Sequence, residues 1–372
     1  MFIEPPSIDL EQLKAPISND LPCGIDPRTD LSPLSVYFSL KDVRSHARSA
    51  ERAALVDNEP LLSLAHLWDP IMESVPNALV DDCRDLELAA WLIEASIRRS
   101  SFKGLALGCD VASVLIENHW HELYPEQDED GPVSKVLPLL GLNGMDGEGT
   151  LLMPIASLPL TELIEDRQYS LWEFEQASDI ERLDKEKREQ KHSAGAVSLE
   201  DIKANVKASS AHYFSSLLED IEQAQRAYQR LTMAIDGAVG TPQPSTHITR
   251  RLTACKDAVL FLAEDKLVEH AKQNDSSELT GEGTTEPNPD NESGQVSVNA
   301  AIQNRMDAIA QLEKIASFFK QTEPHSPMAY GIEQVVRWSE MTLPDLLQEL
   351  ISDKDARTGY FRLTGIRAEQ QE

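Results

Sequence analysis

The chain has 372 residues and a formal net charge of −29, from 34 Lys and Arg against 63 Asp and Glu. A nucleic-acid-binding protein needs a basic face to displace counterions from phosphates, and so acidic a balance argues against one. It argues in the same way against an anionic membrane surface as a partner. The length predicts two or three domains, and a hydrophobic content of 41% is enough for packed cores.

The cysteines give little sign of redox chemistry or metal binding. Cys23, Cys83, Cys109 and Cys255 are widely spaced and form no CxxC pair. No run approaches the ~18 consecutive apolar residues of a spanning helix, and no apolar signal region follows Met1. We therefore expect a cytoplasmic protein with reduced, mostly structural thiols.

Helix-favouring residues dominate the composition, and β-branched residues do not cluster into alternating runs. The sequence therefore predicts an all-α fold. Residues up to about Asp30 are expected to form an irregular leader, because its prolines fix φ and remove backbone donors. A helix is expected from about Pro33 to Arg52.

Residues 81–125 carry the strongest early pattern. Apolar residues recur on one face of a first helix at helical spacing: Leu86, Ala90, Ile93 and Ile97. Asp81 and Asp82 are the predicted N-caps of that helix, and Gly104 is predicted to begin a second helix. The second helix is apolar nearly all round, so we expect an antiparallel pair inside a bundle.

The middle of the chain continues in helical rhythm. An exposed, charge-laced helix is predicted from Tyr169 to about His192, followed by helical residues 198–237 and a helix from about Thr246 to Glu269. Residues 272–294 are acidic and lack large apolar groups, so they cannot bury enough surface to offset their ordering entropy.

These patterns divide the chain into four parts. We predict an N-terminal helical bundle over residues 1–161, a helical middle region over 162–270, a disordered acidic linker over 271–295, and a small C-terminal helical domain over 296–372. In the last part Ser326 is the predicted N-cap of a helix that has Pro327 at its first position. Another helix is expected to start at Thr342.

Several segments together resemble a known family. The leader LKAPISNDLPCGIDPRTD is similar to the opening of the ImpA-type N-terminal domain, and RDLELAAWLIEA, FKGLALG and HWHELYP resemble its helix, Gly-Leu turn and Trp-x-x-x-x-Pro closure. EPHSPMAYGIEQVVRW with LPDLLQELI resembles the C-terminal signature of the TssA (ImpA-like) family of type VI secretion components. The matched N-terminal positions are Pro16, Pro22, Gly24, Asp26, Asp85, Leu86, Trp91, Gly104, Leu105, Trp120 and Pro125.

The chain departs from the family pattern in two places. Members commonly begin the central helix with Ser-Lys-Asp-Leu, where this chain has Cys83-Arg84-Asp85-Leu86. The acidic stretch of residues 272–294 looks like an insertion, which leaves the geometry between the last two domains open.

The resemblance implies a non-enzymatic assembly component without cofactors or metals. Members form ring-like homo-oligomers through their C-terminal region and contact the baseplate, tail tube and sheath, whose assembly they promote. The membrane complex is a further candidate partner, whereas nucleic acid and direct membrane insertion are not expected.

The C-terminal apolar residues have two interpretations. They can form an oligomer interface, or they can fill the small domain's own core together with Phe361. A domain of about 70 residues supplies only a modest core, so self-association would add buried area and favours the interface. The candidate interface residues are Tyr330, Val335, Trp338, Leu343, Leu346, Leu347 and Leu350.

Two alternatives stay open. One is a related ImpA-domain protein that caps or holds the distal end of the sheath. The other is a cysteine- or metal-dependent hydrolase, for which Arg84 beside Cys83 is the only sign of an activated thiol. His119 and His121 lie on different sides of a helix and converge poorly on one metal ion, so structural or surface roles are favoured.

The acidic loop around Asp128, Glu129 and Asp130 is a weaker candidate site. The loop lacks the alternating spacing and closing Glu of a calcium-binding loop. A solvated loop is the favoured interpretation, and a docking surface for a basic partner is the alternative.

Overall fold

The fold is described from a computed structural model. It describes residues 2–32, 35–57, 59–145, 147–268, 312, 314–317, 319–320 and 327–341. The chain divides into two compact units, Met1–Glu282 and Gly283–Glu372. Across the described residues the structure is helical, and extended segments pair only as isolated bridges. The predicted all-α fold is confirmed.

The helices of the first unit follow one another with short connections. They are α1 (Leu10–Lys14), α2 (Val36–Val56), α3 (Asp69–Asn77), α4 (Leu86–His119), α5 (Pro132–Asn143), α6 (Leu152–Ser157), α7 (Leu171–Glu181), α8 (Lys185–Ser193), α9 (Leu199–Ala208), α10 (Ala211–Val239) and α11 (Thr246–Leu262). Two 3₁₀ segments, Pro27–Thr29 and Leu61–Trp68, and a π-helical turn, Ala78–Asp82, lie between them.

Helix α4 consists of two arms that reverse direction at Ser100 and Ser101, where the backbone leaves the helical region. A Cβ added to Gly104 would lie 2.1 Å from the Ser96 carbonyl oxygen, and one added to Gly108 would lie 2.7 Å from a side-chain atom of Ile93. The second arm therefore runs back along the first, and its glycines permit the close approach. This confirms the predicted antiparallel pair.

The predicted caps of the first arm were wrong. Asp81 and Asp82 belong to the π-helical turn, which the Cys83 N–H closes by donating to the Ala78 carbonyl at 2.9 Å. The backbone is then extended at Cys83 and Asp85, and Asp85 is the true N-cap, with its Oδ1 accepting from the Leu88 N–H at 2.9 Å. The N-cap lies later than predicted because extended backbone separates the π-helical turn from α4.

The core of the first unit forms around α4 and α10. Helix α10 packs along α4 through buried residues such as Phe214, Ile221 and Leu231, and α11 packs on α10 through Leu252 and Val259. Helices on both sides of residue 161 share this core. The division of residues 1–270 into two domains stays a prediction.

The outer helices differ from the predicted ones in their bounds. The helix predicted over residues 169–192 is two helices, α7 and α8, because Ser170 caps the first in a capping box and Asp184 caps the second. Helix α2 begins at Val36 rather than near Pro33. Helix α11 ends at Leu262, and a bend at Ala263 separates it from a further helical stretch that runs through the last described residues before 269.

In the second unit the described residues include α12 (Pro327–Glu340), which begins at the predicted proline. Lys320 and Glu333 form an ion pair at 2.5 Å within this unit. The predicted linker over 271–295 and the predicted helix from Thr342 lie outside the described residues.

Candidate docking site

Three separate segments that carry the family-motif positions meet at one place, which we call the motif junction: residues 16–28, 82–88 and 120–125. The Arg84 N–H donates to the Cys23 carbonyl at 2.9 Å, which ties the leader to the second segment. The Leu86 N–H donates to the Tyr124 carbonyl at 2.8 Å, and the Tyr124 N–H donates to the Arg84 carbonyl at 3.0 Å. The middle segment is therefore held on both sides by backbone hydrogen bonds.

Gly24 is required at the junction by two features of its backbone. Its φ is +73°, in the left-handed region that glycine adopts without a steric cost. A Cβ at this position would also lie 2.0 Å from the Asp82 carbonyl oxygen. Any other residue would separate the leader from residues 82–88.

A network of charged groups joins the leader to the start of α4. The Arg28 guanidinium donates to Asp85 Oδ2 at 2.7 Å, to Glu87 Oε2 at 2.8 Å and to Asp26 Oδ1 at 3.0 Å. The Tyr37 hydroxyl donates to the same Glu87 oxygen at 2.7 Å. Asp85 is completely buried, so Arg28 neutralises a carboxylate that would otherwise be costly to bury.

Arg84 joins the π-helical turn to the end of α1 through its side chain. Its buried guanidinium donates to the carbonyls of Leu79 and Val80 at the end of the π-helical turn, and to Ala15 at 3.0 Å at the end of α1. One cation therefore satisfies the carbonyl ends of two short helical elements, which have no partner within their own turns.

The remaining motif positions lie along α4 or at the edge of the junction. Trp91 is buried and stacks on Tyr37 with ring centroids 5.2 Å apart. Leu105 is buried and Gly104 makes the close approach within α4, whereas Pro16 is exposed. Pro125 follows Tyr124 at the junction's edge in a cis peptide bond. The motif thus builds one structural region rather than a cluster of reactive groups.

A cleft of about 520 Å³ opens beside the junction. Its walls are residues 20–24 of the leader, residues 120–124, Glu126, Gln127 and Lys135. Asp20, Glu122 and Glu126 are exposed at its rim. Lys135 is 4% exposed and donates to the Trp120 carbonyl at 2.7 Å, with its Nζ 5.1 Å from the Trp120 ring. Burial lowers the pKa of Lys135.

Burial acts against the thiolate form at all four cysteines, of which Cys23 lines the cleft. Burial raises the pKa of Cys23 to about 11 and that of Cys83 to about 12. Burial also raises the pKa of Cys255 to about 12 and raises that of Cys109. A raised pKa is the opposite of what activates a nucleophilic cysteine.

The other candidate ligands do not converge either. His119 is buried, and its Nε2 lies 2.7 Å from the Leu13 carbonyl oxygen, whereas His121 is exposed at the cleft. In the described part of the chain, no three His, Cys, Asp or Glu side chains come together as a metal-binding group. Asp128 accepts from the Asp130 N–H at 2.8 Å within an exposed turn.

The C-terminal candidate residues can be placed only in part. On α12, Tyr330 is 62% exposed and Val335 is 47% exposed, while Trp338 is partly buried. Leu343, Leu346, Leu347 and Leu350 lie outside the described residues. Two apolar side chains of one helix are therefore available for contact.

Comparison with known proteins agrees with this architecture. Residues 14–144 match the family described as ImpA, N-terminal, type VI secretion system, and this range contains the whole motif junction from Pro16 onward. A curated relative, the type VI secretion system component TssA1 of Pseudomonas aeruginosa, is 21% identical over 356 residues. That match covers 93% of this chain and 96% of the relative. The chain is therefore similar to the TssA (ImpA-like) family, most specifically over residues 14–144.

A solved structure extends this likeness to three dimensions. It is the N-terminal domain, including the conserved ImpA_N region, of the TssA component of the type VI secretion system from Burkholderia cenocepacia. The TM-score is 0.58 at 20% identity, and the match covers 70% of this chain and 96% of that chain. The first unit therefore has the fold of that domain.

Membrane insertion of the described helices finds no support. Each helix in the part of the chain that the structure describes falls short of the length and apolarity needed to cross a bilayer.

Reasoning from the sequence missed the charged partners at the junction. Arg28 contacts Asp85 and Glu87, and Tyr37 contacts Glu87, across 50 to 59 positions of the chain. Lys135 reaches the cleft from α5. The Asp26-Pro-Arg28 spacing is a local signal that the cap residue Asp26 has a cation beside it, but no periodic pattern shows which distant carboxylates that cation contacts.

Proposed function

We propose that the chain is a non-enzymatic structural component of a bacterial type VI secretion system that acts in the cytoplasm. It forms a ring-like homo-oligomer through its C-terminal unit and contacts the baseplate, tail tube and sheath. The match over 93% of the chain to a curated TssA1 component carries this proposal.

Exposed apolar side chains on α12 support the oligomer. Tyr330 and Val335 expose large parts of their side chains on this helix. Burying them against a second copy removes apolar area from water, at about 25 cal/mol per Å². A closed ring then presents many identical first units, so that weak single contacts add up.

The cleft at the motif junction supports docking of the first unit. Three carboxylates surround its opening, and the chain as a whole is strongly acidic. A basic segment of a baseplate, tube or sheath protein is the complementary partner. Burial opposes the thiolate form of Cys23, the cysteine in the wall of the cleft, which disfavours thiol chemistry at this site.

The oligomer is tested by measuring the mass of the full chain by light scattering. We expect a large, discrete oligomer for the natural protein and a shift toward monomer for the double variant Tyr330→Asp, Val335→Asp. The control is Met233→Asp on α10, which places one Asp at a side chain that is 66% exposed in the other unit.

A monomeric natural protein across micromolar concentrations contradicts the ring. The alternative of a protein that holds the distal sheath end would then be favoured. A control variant that dissociates as much as the double variant would place the contact outside α12.

A further inference from the structure

One flank of α2 carries a row of cations that the motif junction does not use. The row, which we call the arginine ridge, consists of Lys41, Arg44, Arg48 and Arg52. Spacings of three and four residues place these side chains on one side of the helix. Helix α2 has four Lys and Arg against two carboxylates, in a chain whose net charge is −29.

Two arginines of the ridge, Arg44 and Arg48, approach the same carboxylate, that of Glu94. Arg44 Nε donates to Glu94 Oε2 at 2.5 Å, and Glu94 is completely buried. Arg48 Nε lies 4.0 Å from the other Glu94 oxygen, beyond hydrogen-bond distance. Glu51, the other acid nearby, is already occupied by two hydrogen bonds from Arg98.

Both ends of the ridge are left without a carboxylate partner. Among the described residues no Asp or Glu lies within 4.0 Å of Lys41 or Arg52, and Arg52 is exposed. Burial lowers the pKa of Arg48; Glu94 opposes that shift, and the charges of Arg44 and Arg52 add to it. An additional negative charge at this place would relieve the repulsion among the arginines.

We propose that the arginine ridge docks an acidic segment of a partner protein through Arg48 and Arg52. Planar guanidinium groups bind carboxylates with two parallel hydrogen bonds. Four residues of helix separate the two arginines by about 6 Å along the axis. Two Glu residues four apart on a partner helix, or two acids separated by one residue on a strand at about 6.6 Å, match this separation.

The charge of the rest of the molecule selects this partner over nucleic acid. A duplex is an extended polyanion and would bring many phosphates toward a chain whose net charge is −29. A short acidic segment meets the ridge locally, because screening limits repulsion to about 8 Å at physiological salt. The surface is separate from the acidic cleft and suits a partner of the opposite charge.

The test uses the full chain and a fluorescein-labelled alanine peptide that has Glu at every fourth position. Binding is followed by fluorescence anisotropy at an ionic strength of about 0.01 M and again at about 0.15 M, between which the Debye length falls from about 30 to about 8 Å. A peptide with Gln in place of Glu serves as the uncharged reference.

The matched variants remove two arginines each. One is Arg48→Gln with Arg52→Gln, and the control is Arg182→Gln with Arg226→Gln. The control pair lies on exposed surface, at 80% and 61% side-chain exposure, and changes the net charge equally. We expect the ridge variant to bind the Glu peptide about tenfold more weakly, as the loss of two partly exposed ion pairs predicts. The control should bind within about twofold of the natural protein.

Three outcomes overturn the proposal: no binding of the Glu peptide at either ionic strength, equal binding of the Gln peptide, or equal weakening by the control variant. Tighter binding of a DNA duplex than of the peptide, lost in the ridge variant alone, would assign the ridge to nucleic acid instead. If the double variant fails to fold, Arg52→Gln alone replaces it, because Arg52 is exposed and its loss removes no ion pair among the described residues.

Discussion

Charge is used differently in the region of α2 to α4 and in the outer helices α7 to α9. Beneath α2, Glu51 and Arg98 are 5% and 2% exposed, and Glu51 accepts from both Arg98 and the Trp68 indole. Between α7 and α8, Glu181 and Arg188 form a pair at 2.8 Å with more than a third of each side chain exposed. The hydrogen bonds of the inner pair replace hydration that both side chains lose on burial. The side chains of the outer pair remain hydrated, so their ion pair adds little.

The largest difference is expected when each acid is removed. Glu51→Ala leaves the Arg98 guanidinium and the Trp68 N–H buried without their acceptor, so we expect a loss of about 3–5 kcal/mol in the free energy of unfolding. Glu181→Ala should cost less than about 1 kcal/mol. Denaturant unfolding of both variants measures this, and similar losses would show that burial does not separate the two pairs.

The same contrast applies to glycine within helices. Gly104→Ala in α4 must displace the Ser96 carbonyl or separate the arms, so we expect destabilisation of about 1–3 kcal/mol. Gly237→Ala in α10 meets no atom within 4 Å, so we expect stabilisation of about 0.5–1 kcal/mol from the lower entropy of the unfolded chain. Thermal unfolding would detect both, and equal signs would contradict the close approach of the two α4 arms.

The smallest effect concerns the capping box of α9 and depends on pH. The hydrogen bond from the Ser198 hydroxyl lowers the pKa of Asp201 below its ordinary value. A carboxyl whose pKa is depressed in the folded state stabilises the fold above its unfolded pKa, and this contribution is lost as pH falls through the folded pKa. Asp201→Asn should therefore cost less than about 1 kcal/mol near neutral pH and almost nothing in acid.

Unfolding of Asp201→Asn and the natural protein should be compared across the pH range below about 6. The difference between the two proteins should shrink as the pH falls through the range in which Asp201 titrates. A difference that grows toward acid would contradict the depressed pKa.

The arginine ridge stands between these two cases. Arg44 has a buried partner in Glu94, as the inner pairs do, and Arg52 is exposed, as the outer charges are. Of its four cations, Arg44 and Arg48 approach Glu94, whereas Lys41 and Arg52 have no carboxylate within 4.0 Å among the described residues.

The sequence by itself determined the helical class, the antiparallel pair in residues 86–119 and the start of α12 at Pro327, because these depend on apolar spacing, glycine and proline within one segment. Capping residues alone did not locate the start of α4, since Asp81, Asp82 and Asp85 are all suitable N-caps. Asp85 is the N-cap because the backbone is extended at Cys83. The motif residues were found by resemblance to a family, and that resemblance does not indicate which residues they contact.

Only the tertiary structure decided which distant charges meet. Arg28 with Asp85, Arg44 with Glu94 and Arg98 with Glu51 join residues about 50 positions apart. Side chains at such separations are brought together by the packing of α2 against α4, and no local pattern records that packing. The helices follow from the spacing of residues along the chain, whereas the motif junction and the arginine ridge follow from how the helices pack.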